Sequence, residues 1–252
     1  MRAKRFACGA GFYGLPRFRA RSIHLSRLSR VTATLVKGGL WLGIRGEGGS
    51  VPRGLNRRQA ALKRGFDVLG AATGLVLTFW IILPAWLVAT LDTHTNGFFT
   101  QRRVGRNGRL FRVVKLRTMR PDSSLDTTVT TGHDPRITRL GRFFRRSKLD
   151  ELPQLFNVLV GHMSFVGPRP DVPGYADGLE GADRVVLTVR PGITGPATLA
   201  YRDEEVLLAG VDDPERYNRD VIFPDKVRLN REYVENWSFR KDLGYIWQTV
   251  FQ

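Results

Sequence analysis

Val68-Leu-Gly-Ala-Ala-Thr-Gly-Leu-Val-Leu-Thr-Phe-Trp-Ile-Ile-Leu-Pro-Ala-Trp-Leu-Val-Ala-Thr-Leu91 is a run of 24 residues without a charge. As an α-helix it would measure about 36 Å at roughly 1.5 Å per residue, enough for the hydrocarbon core of a bilayer. The alternative is a buried core helix. Against that, the run is apolar on every side and long for the interior of a 252-residue chain. The segment therefore reads as membrane-associated.

Whether it crosses is a question of its flanks. Arg57, Arg58, Lys63 and Arg64 precede it, and Arg102, Arg103, Arg106, Arg109 and Arg112 follow. A crossing helix concentrates positive charge on one side only. Positive flanks at both ends favour a segment that enters and leaves on the same face. Pro84 removes one helical hydrogen bond and marks the expected bend. Gly70 and Gly74 offer a close-packing face, and Trp80 and Trp86 suit interfacial depth. A re-entrant helical hairpin is the expectation.

The chain carries 40 Lys and Arg against 23 Asp and Glu, a net charge of +17. Residues 1–58 hold 13 of the basic groups and one acid, Glu47. This tail reads as a disordered extension, a lipid-binding or transit-type arm, or sequence ahead of a true start near Val51. Arginines interrupt each of its apolar stretches, so it has no signal-peptide core. A basic balance calls for an anionic partner: nucleic acid, anionic lipid or a phosphorylated small molecule. The single cysteine, Cys8, excludes an intramolecular disulfide and a Cys-rich zinc site.

Beyond the apolar run, Asn107-Gly108 between short apolar flanks predicts a β-hairpin. Its second strand would place Lys115 and Arg117 on one side, as a phosphate contact or as a solvated face. Residues 120–133 read as a polar loop. Asp134-Pro135 predicts a helix start, with Ile137, Leu140, Phe143 and Phe144 as its apolar stripe. Arginines beside that stripe suit a membrane interface, although a core-facing stripe has the same pattern.

The chemistry concentrates in Arg146-Ser-Lys-Leu-Asp-Glu-Leu-Pro-Gln154, two adjacent carboxylates preceded by Arg136, Arg139, Arg142, Arg145, Arg146 and Lys148. Cations of this density gather phosphate oxygens, while a carboxylate attacks phosphorus or holds a metal. A solvated helix face with mixed charges gives the same local pattern. Ser147 fits an N-cap with Asp150 at the third position, where helix dipole and cations keep carboxylates ionised. Pro153 lies too far inside for a regular first turn. Gly167-Pro-Arg-Pro170 and Arg190-Pro-Gly-Ile-Thr-Gly-Pro196 predict rigid turns, with Arg169 pinned between prolines for an anion or a planar ring. The stretch from Tyr233 to Trp247 reads as helical packing.

Taken in order, Phe99-Thr-Gln-Arg-Arg-Val-Gly105, Lys115-Leu-Arg-Thr-Met119, Asp134-Pro-Arg-Ile-Thr138, Leu149-Asp-Glu-Leu-Pro-Gln-Leu155, Met163-Ser-Phe-Val-Gly-Pro-Arg-Pro170 and Pro191-Gly-Ile-Thr-Gly195 resemble the bacterial sugar transferase family. These are monotopic polyprenyl-phosphate phosphoglycosyl transferases. The resemblance implies an α+β protein at the bacterial inner membrane. A re-entrant hairpin over 59–95 would be followed by a small, mainly helical catalytic domain over 96–252 on the cytoplasmic face, with a short β-hairpin and amphipathic interfacial helices. It implies transfer of a phosphosugar from a UDP-sugar to undecaprenyl phosphate with release of UMP, as a first membrane step of exopolysaccharide, O-antigen or glycan assembly. Asp150 would be the nucleophile and Glu151 would bind Mg²⁺. Lys115, Arg145 and Arg169 match substrate-contacting positions; Arg117 and Arg136 join them as candidate phosphate contacts.

Three positions depart from the family pattern: Leu83 before Pro84 where Ser is usual, His162 in place of Asp, and Asn230 where Asp is common, with Asp225 a nearby substitute. Two other functions stay open at this point: a catalytically inactive membrane scaffold, and a basic nucleic-acid-binding membrane protein. The expected partners are a nucleotide sugar, polyprenyl phosphate and membrane lipid rather than nucleic acid. A homo-oligomer remains open, as do the sugar and the glycan pathway.

Overall fold

The computed structural model describes residues 34–36, 39–41, 54–121 and 134–251. In the first unit, β1 (Thr34–Val36) pairs antiparallel with β2 (Gly39–Trp41). The rest of the basic tail up to residue 53, with the expectations placed on it, lies outside the described residues, as does the polar loop over 122–133.

The second unit opens with α1 (Arg57–Thr93), whose first turn is closed by a capping box. The Asn56 side chain accepts from the Gln59 amide, and the Gln59 side chain accepts from the Asn56 amide. The helix is long and apolar enough to cross a membrane. It runs unbroken through Pro84, so the expected pair of helices is one continuous element. A proline deletes one hydrogen bond of the helix and leaves the others to carry the chain on.

Both ends of α1 are bound to the same globular body. At the first end, Arg64 donates to the carbonyls of Val158 and Leu159, and the Asp67 carboxylate accepts from Ser164 and the Phe165 amide. Gly70 and Gly74 lie against Phe165 and Leu155, where a Cβ would fall 2.7 and 3.1 Å from the nearest atoms. The close-packing face foreseen for the membrane thus serves the globular domain. At the other end, Ala85 and Ala89 pack with Leu116 and Phe144. Between these anchors the side chains are bare: Val76, Leu77 and Trp80 are 72%, 70% and 77% exposed.

β3 (Phe98–Val104) and β4 (Leu110–Leu116) form the expected hairpin. Its turn places Asn107 and Gly108 at φ of 59° and 74°, the left-handed region that this residue pair adopts readily. α2 (Arg139–Arg146) starts four residues later than predicted, capped by Thr138 instead of Asp134. The Asp134 carboxylate is occupied by the Arg136 guanidinium, and Ile137 is drawn into a β-bridge with Met119. Phe144 is buried, whereas Leu140 and Phe143 stay exposed.

α3 (Gln154–Val160) and β5 (Ser164–Val166) follow, and β5 pairs in parallel with β6 (Gly192–Thr194). The turns around them interlock by backbone. A Cβ on Gly192 would lie 2.1 Å from the Gly167 amide nitrogen, and one on Gly195 2.4 Å from the Gly167 carbonyl oxygen. Only glycine permits that approach. α4 (Pro196–Ala200), α5 (Glu204–Ala209), α6 (Pro214–Tyr217), α7 (Phe223–Glu235) and α8 (Phe239–Phe251) complete the unit. Tyr233 and Val234 enter a core with Val166, Val185 and Val189, in agreement with the packing role expected of the C-terminal stretch.

A buried ionic cluster ties the start of α1 to α8. Asp242 accepts from Lys63, from the Tyr233 hydroxyl at 2.7 Å and from the Trp237 indole at 3.0 Å. Asp242→Ala would leave Lys63 buried without its anion, a defect of about 3–5 kcal/mol. Denaturant unfolding of the detergent-solubilised protein should show that loss, and a change below ~1 kcal/mol would show that the cluster does not hold the helix in place.

Candidate active site

The two adjacent carboxylates do not begin a regular helix. Ser147, expected as an N-cap, ends α2, and its hydroxyl donates back to the Phe143 carbonyl. Lys148 then takes a left-handed conformation at φ 57°, and Leu149–Glu151 form one 3-10 turn ahead of Pro153 and α3. The reversal at Lys148 turns both carboxylates inward: Asp150 is 8% exposed, and the Glu151 side chain 14%.

Glu151 is bridged by two cations from distant segments. The Lys115 ammonium on β4 lies 2.9 Å from Glu151 Oε1, and the Arg169 guanidinium reaches the same oxygen at 3.4 Å. Asn157 sets the height of β4 over the carboxylates. Its side chain accepts from the Val114 amide and donates to the Arg112 carbonyl. Arg169 follows the interlocked glycines and is flanked by buried Pro168 and Pro170. In contrast, Asp150 Oδ1 is buried and meets no hydrogen-bond donor.

The electrostatics separate the pair. Burial pushes the Glu151 carboxyl up, but Arg169 and Lys115 together outweigh it and hold it at about 2. For Asp150 burial prevails over the opposing Lys115, and the adjacent Glu151 charge adds to the rise. Asp150 is therefore displaced upward, opposite to the expected effect of a helix dipole and cations, because the turn buries it and the cations turn to its neighbour. Lys115 is displaced downward, since its burial and the repulsion of Arg169 exceed the attraction of Glu151.

The other predicted residues line the same cavity, of about 1240 Å³. Arg145 donates to the Thr118 hydroxyl and to Met119 Sδ. Arg136 is held by Asp134. Arg117 donates to the Asn96 carbonyl and lies over the Phe99 ring, clamping the link from α1 to β3. Residues the sequence reading missed are present too. Arg103 on β3 donates to Gln101 and to the Pro170 carbonyl. Asp171, two positions after Arg169, is pushed up to about 6 by burial, against Lys226 and Arg103. Arg103 alternates with Gln101 on β3, a strand-face signal open to the eye; Asp171 offered only its place after a rigid turn. Of the three departures, His162 is exposed and stacks near Phe111, and Leu83 lies on the bare stretch of α1. Asn230 lines the cavity.

The depressed Glu151 carboxyl fixes a pH signature. Its folded value lies below its ordinary 4.5, so the unfolded chain binds more protons and stability rises with pH in that range. The contribution is complete above about pH 5 and is lost as pH falls through 4.5 toward about 2. Glu151→Gln should flatten the stability curve in that window, measured by unfolding as a function of pH. An unchanged slope would mean that Glu151 is not held by its two cations.

The description of bacterial sugar transferases matches residues 58–252. The exopolysaccharide production protein ExoY of Rhizobium meliloti is 32% identical over 204 residues, covering 75% of this chain and 83% of that protein. The undecaprenyl-phosphate glucose phosphotransferase of Komagataeibacter xylinus is 38% identical over 196 residues, 75% of this chain and 35% of the relative. The undecaprenyl-phosphate galactose phosphotransferase of Salmonella typhimurium is 31% identical over 214 residues, 77% and 40% of the two chains. The chain thus spans most of ExoY and well under half of the two longer relatives. With its ordered motifs meeting at one cation-walled pair of carboxylates, the chain belongs to the bacterial sugar transferase family.

Proposed function

We propose that this protein is a phosphoglycosyl transferase that moves a phosphosugar from a UDP-sugar to undecaprenyl phosphate through an aspartyl intermediate. The observation that carries the reading is Asp150: a buried carboxylate lining the cavity, with one unsatisfied oxygen and its basicity raised by burial, while Lys115 and Arg169 are engaged by Glu151. A more basic, poorly solvated carboxylate is the stronger nucleophile.

In the first step an Asp150 oxygen attacks the β-phosphorus, which bears the sugar. The bond from that phosphorus to the oxygen bridging the α-phosphate breaks, and UMP departs with the bond's electrons. In the second step a phosphate oxygen of undecaprenyl phosphate attacks the same phosphorus, the acyl-phosphate bond breaks, and Asp150 is regenerated as a carboxylate. Lys115, Arg169 and Arg103 line the cavity where phosphate charge would develop. Among the described residues no cluster of three or more His, Cys, Asp or Glu could hold a metal. Mg²⁺ asks for less, one or two carboxylates completed by substrate phosphates and water. Glu151, held ionised, would be the carboxylate that holds the ion, and the ion would neutralise phosphate charge.

The acceptor's position follows from α1. Phe165 and Leu155 line the cavity and also receive Gly70 and Gly74, so one layer of side chains separates the cavity from the apolar helix. With both ends of α1 bound to one globular body and its middle bare, the reading is a helix that dips into the inner membrane from the cytoplasmic face. Leu140 and Phe143 on α2 add exposed apolar groups that suit contact with that surface.

Purified protein with Mg²⁺, undecaprenyl phosphate and a panel of UDP-sugars should release UMP with at least one sugar. Asp150→Asn should lose at least ~10³-fold in rate, and without acceptor the wild type should carry a phosphosugar adduct on Asp150 by mass spectrometry. Retained turnover in Asp150→Asn would exclude the assigned nucleophile. For topology, cysteines placed at Arg58 and His94 in a Cys8-free background should both react with impermeant reagent only from the cytoplasmic side. Reaction of either from the opposite side would establish a crossing helix.

A further inference from the structure

The cavity is also lined by residues of α4, α5 and α7, and the unsatisfied groups there are of a different kind. Phe223, Val227 and Asn230 fall at the i, i+4 and i+7 positions of α7 and line the cavity together. Asn230 is 7% exposed, and its Oδ1 has no hydrogen-bond partner. On α4, which packs against α7, the buried Thr198 Oγ1 is likewise without a partner and lines the same cavity.

The charged groups nearby in sequence are paired by hydrogen bonds. Lys226 Nζ lies 2.7 Å from both carboxylate oxygens of Glu204. The Tyr201 hydroxyl donates to Asp225 at 2.8 Å, and Asp225 also accepts from Arg228. Asp225, suggested from the sequence as a stand-in for an acid at position 230, is therefore engaged elsewhere. A carbonyl oxygen and a hydroxyl buried without partners cost stability unless something supplies them. Their surroundings suit an uncharged group bearing O–H or N–H donors rather than a phosphate.

We propose that Asn230 and Thr198 form a specificity-determining subsite that binds the uncharged, hydrogen-bonding portion of the nucleotide sugar. Two portions share that chemistry, the sugar ring with its hydroxyls and the uridine with its ribose hydroxyls and imide. The inference rests on the reading of the cavity as a nucleotide-sugar site, but it concerns binding and does not depend on Asp150 as the nucleophile.

The test is calorimetric binding to the full chain in detergent, in an Asp150→Asn background so that no turnover occurs. The probes are UMP, UDP-glucose, UDP-galactose and UDP-N-acetylglucosamine. Asn230→Leu and Thr198→Val should each weaken the tightest UDP-sugar about 5- to 10-fold. An equal loss for UMP assigns the subsite to the uridine. Unchanged UMP binding, with altered ranking among the three sugars, assigns it to the sugar. Thr198→Val keeps the shape of the side chain and carries the test if Asn230→Leu unfolds, as judged by circular dichroism. Wild-type affinities for all four probes in folded variants would overturn the subsite while leaving the transferase reading intact. Absence of nucleotide binding before either substitution would overturn both. Normal binding with no UMP release by the wild-type protein would overturn the transferase reading alone.

Discussion

The site depends on one carboxylate held by two cations. Glu151 Oε1 lies 2.9 Å from the Lys115 ammonium and 3.4 Å from the Arg169 guanidinium. Removing a carboxylate from water costs several kcal/mol, and one cation often fails to offset that cost. Two cations suffice here, and they come from separate segments: β4, and the loop after β5. The pairing therefore joins three pieces of chain that are independent in sequence. It also divides labour between neighbours. Glu151 draws the cations, which leaves Asp150 buried, unsatisfied and more basic than an ordinary aspartate. A single carboxylate could not both hold the cations in place and remain unpaired.

Arg169 reaches Glu151 because the backbone behind it cannot move. Gly167, Gly192 and Gly195 touch through main-chain atoms alone, and the two prolines flanking Arg169 restrict the chain on either side. The same β5 segment receives α1 through Asp67, which accepts from Ser164 and the Phe165 amide. A short mechanical path thus leads from the apolar helix through β5 to the guanidinium that organises the carboxylates. Under the proposed function, this path would place the carboxylates against the helix that brings them to the lipid, as a soluble nucleotide sugar and a membrane-bound acceptor would require.

Much of this was legible in the residues. The apolar run and the Asn107-Gly108 turn are local patterns: the turn became the expected hairpin, and the run became a helix, though one that continues through Pro84 where a bend was expected. Lys115, Asp150, Glu151 and Arg169 were identifiable as charges of the right kind beside rigid turns, and they meet in one place. Less legible were the helix boundaries. Asp134-Pro135 has the composition of a helix start, but Arg136 competes for the carboxylate and the bridge of Ile137 to Met119 keeps the chain extended. Ser147 matches an N-cap, yet the preceding helix claims its hydroxyl. In both cases a nearby partner outbid the backbone amide that the local pattern pointed to.

By itself the sequence determined the elements whose driving force is local: the hydrophobic length of α1, the turn of the hairpin and the presence of two acids among many cations. Tertiary structure decided what those acids became. The ion pair of Lys115 with Glu151 joins residues 36 positions apart, and that of Lys63 with Asp242 joins residues 179 apart. No periodicity encodes such distances. Burial, set by packing against remote segments, raised Asp150, while Arg169 and Lys115, brought in from those segments, lowered Glu151; the same packing left Asn230 Oδ1 and Thr198 Oγ1 buried without partners. Charge is a property of a residue, but its solvation belongs to the fold.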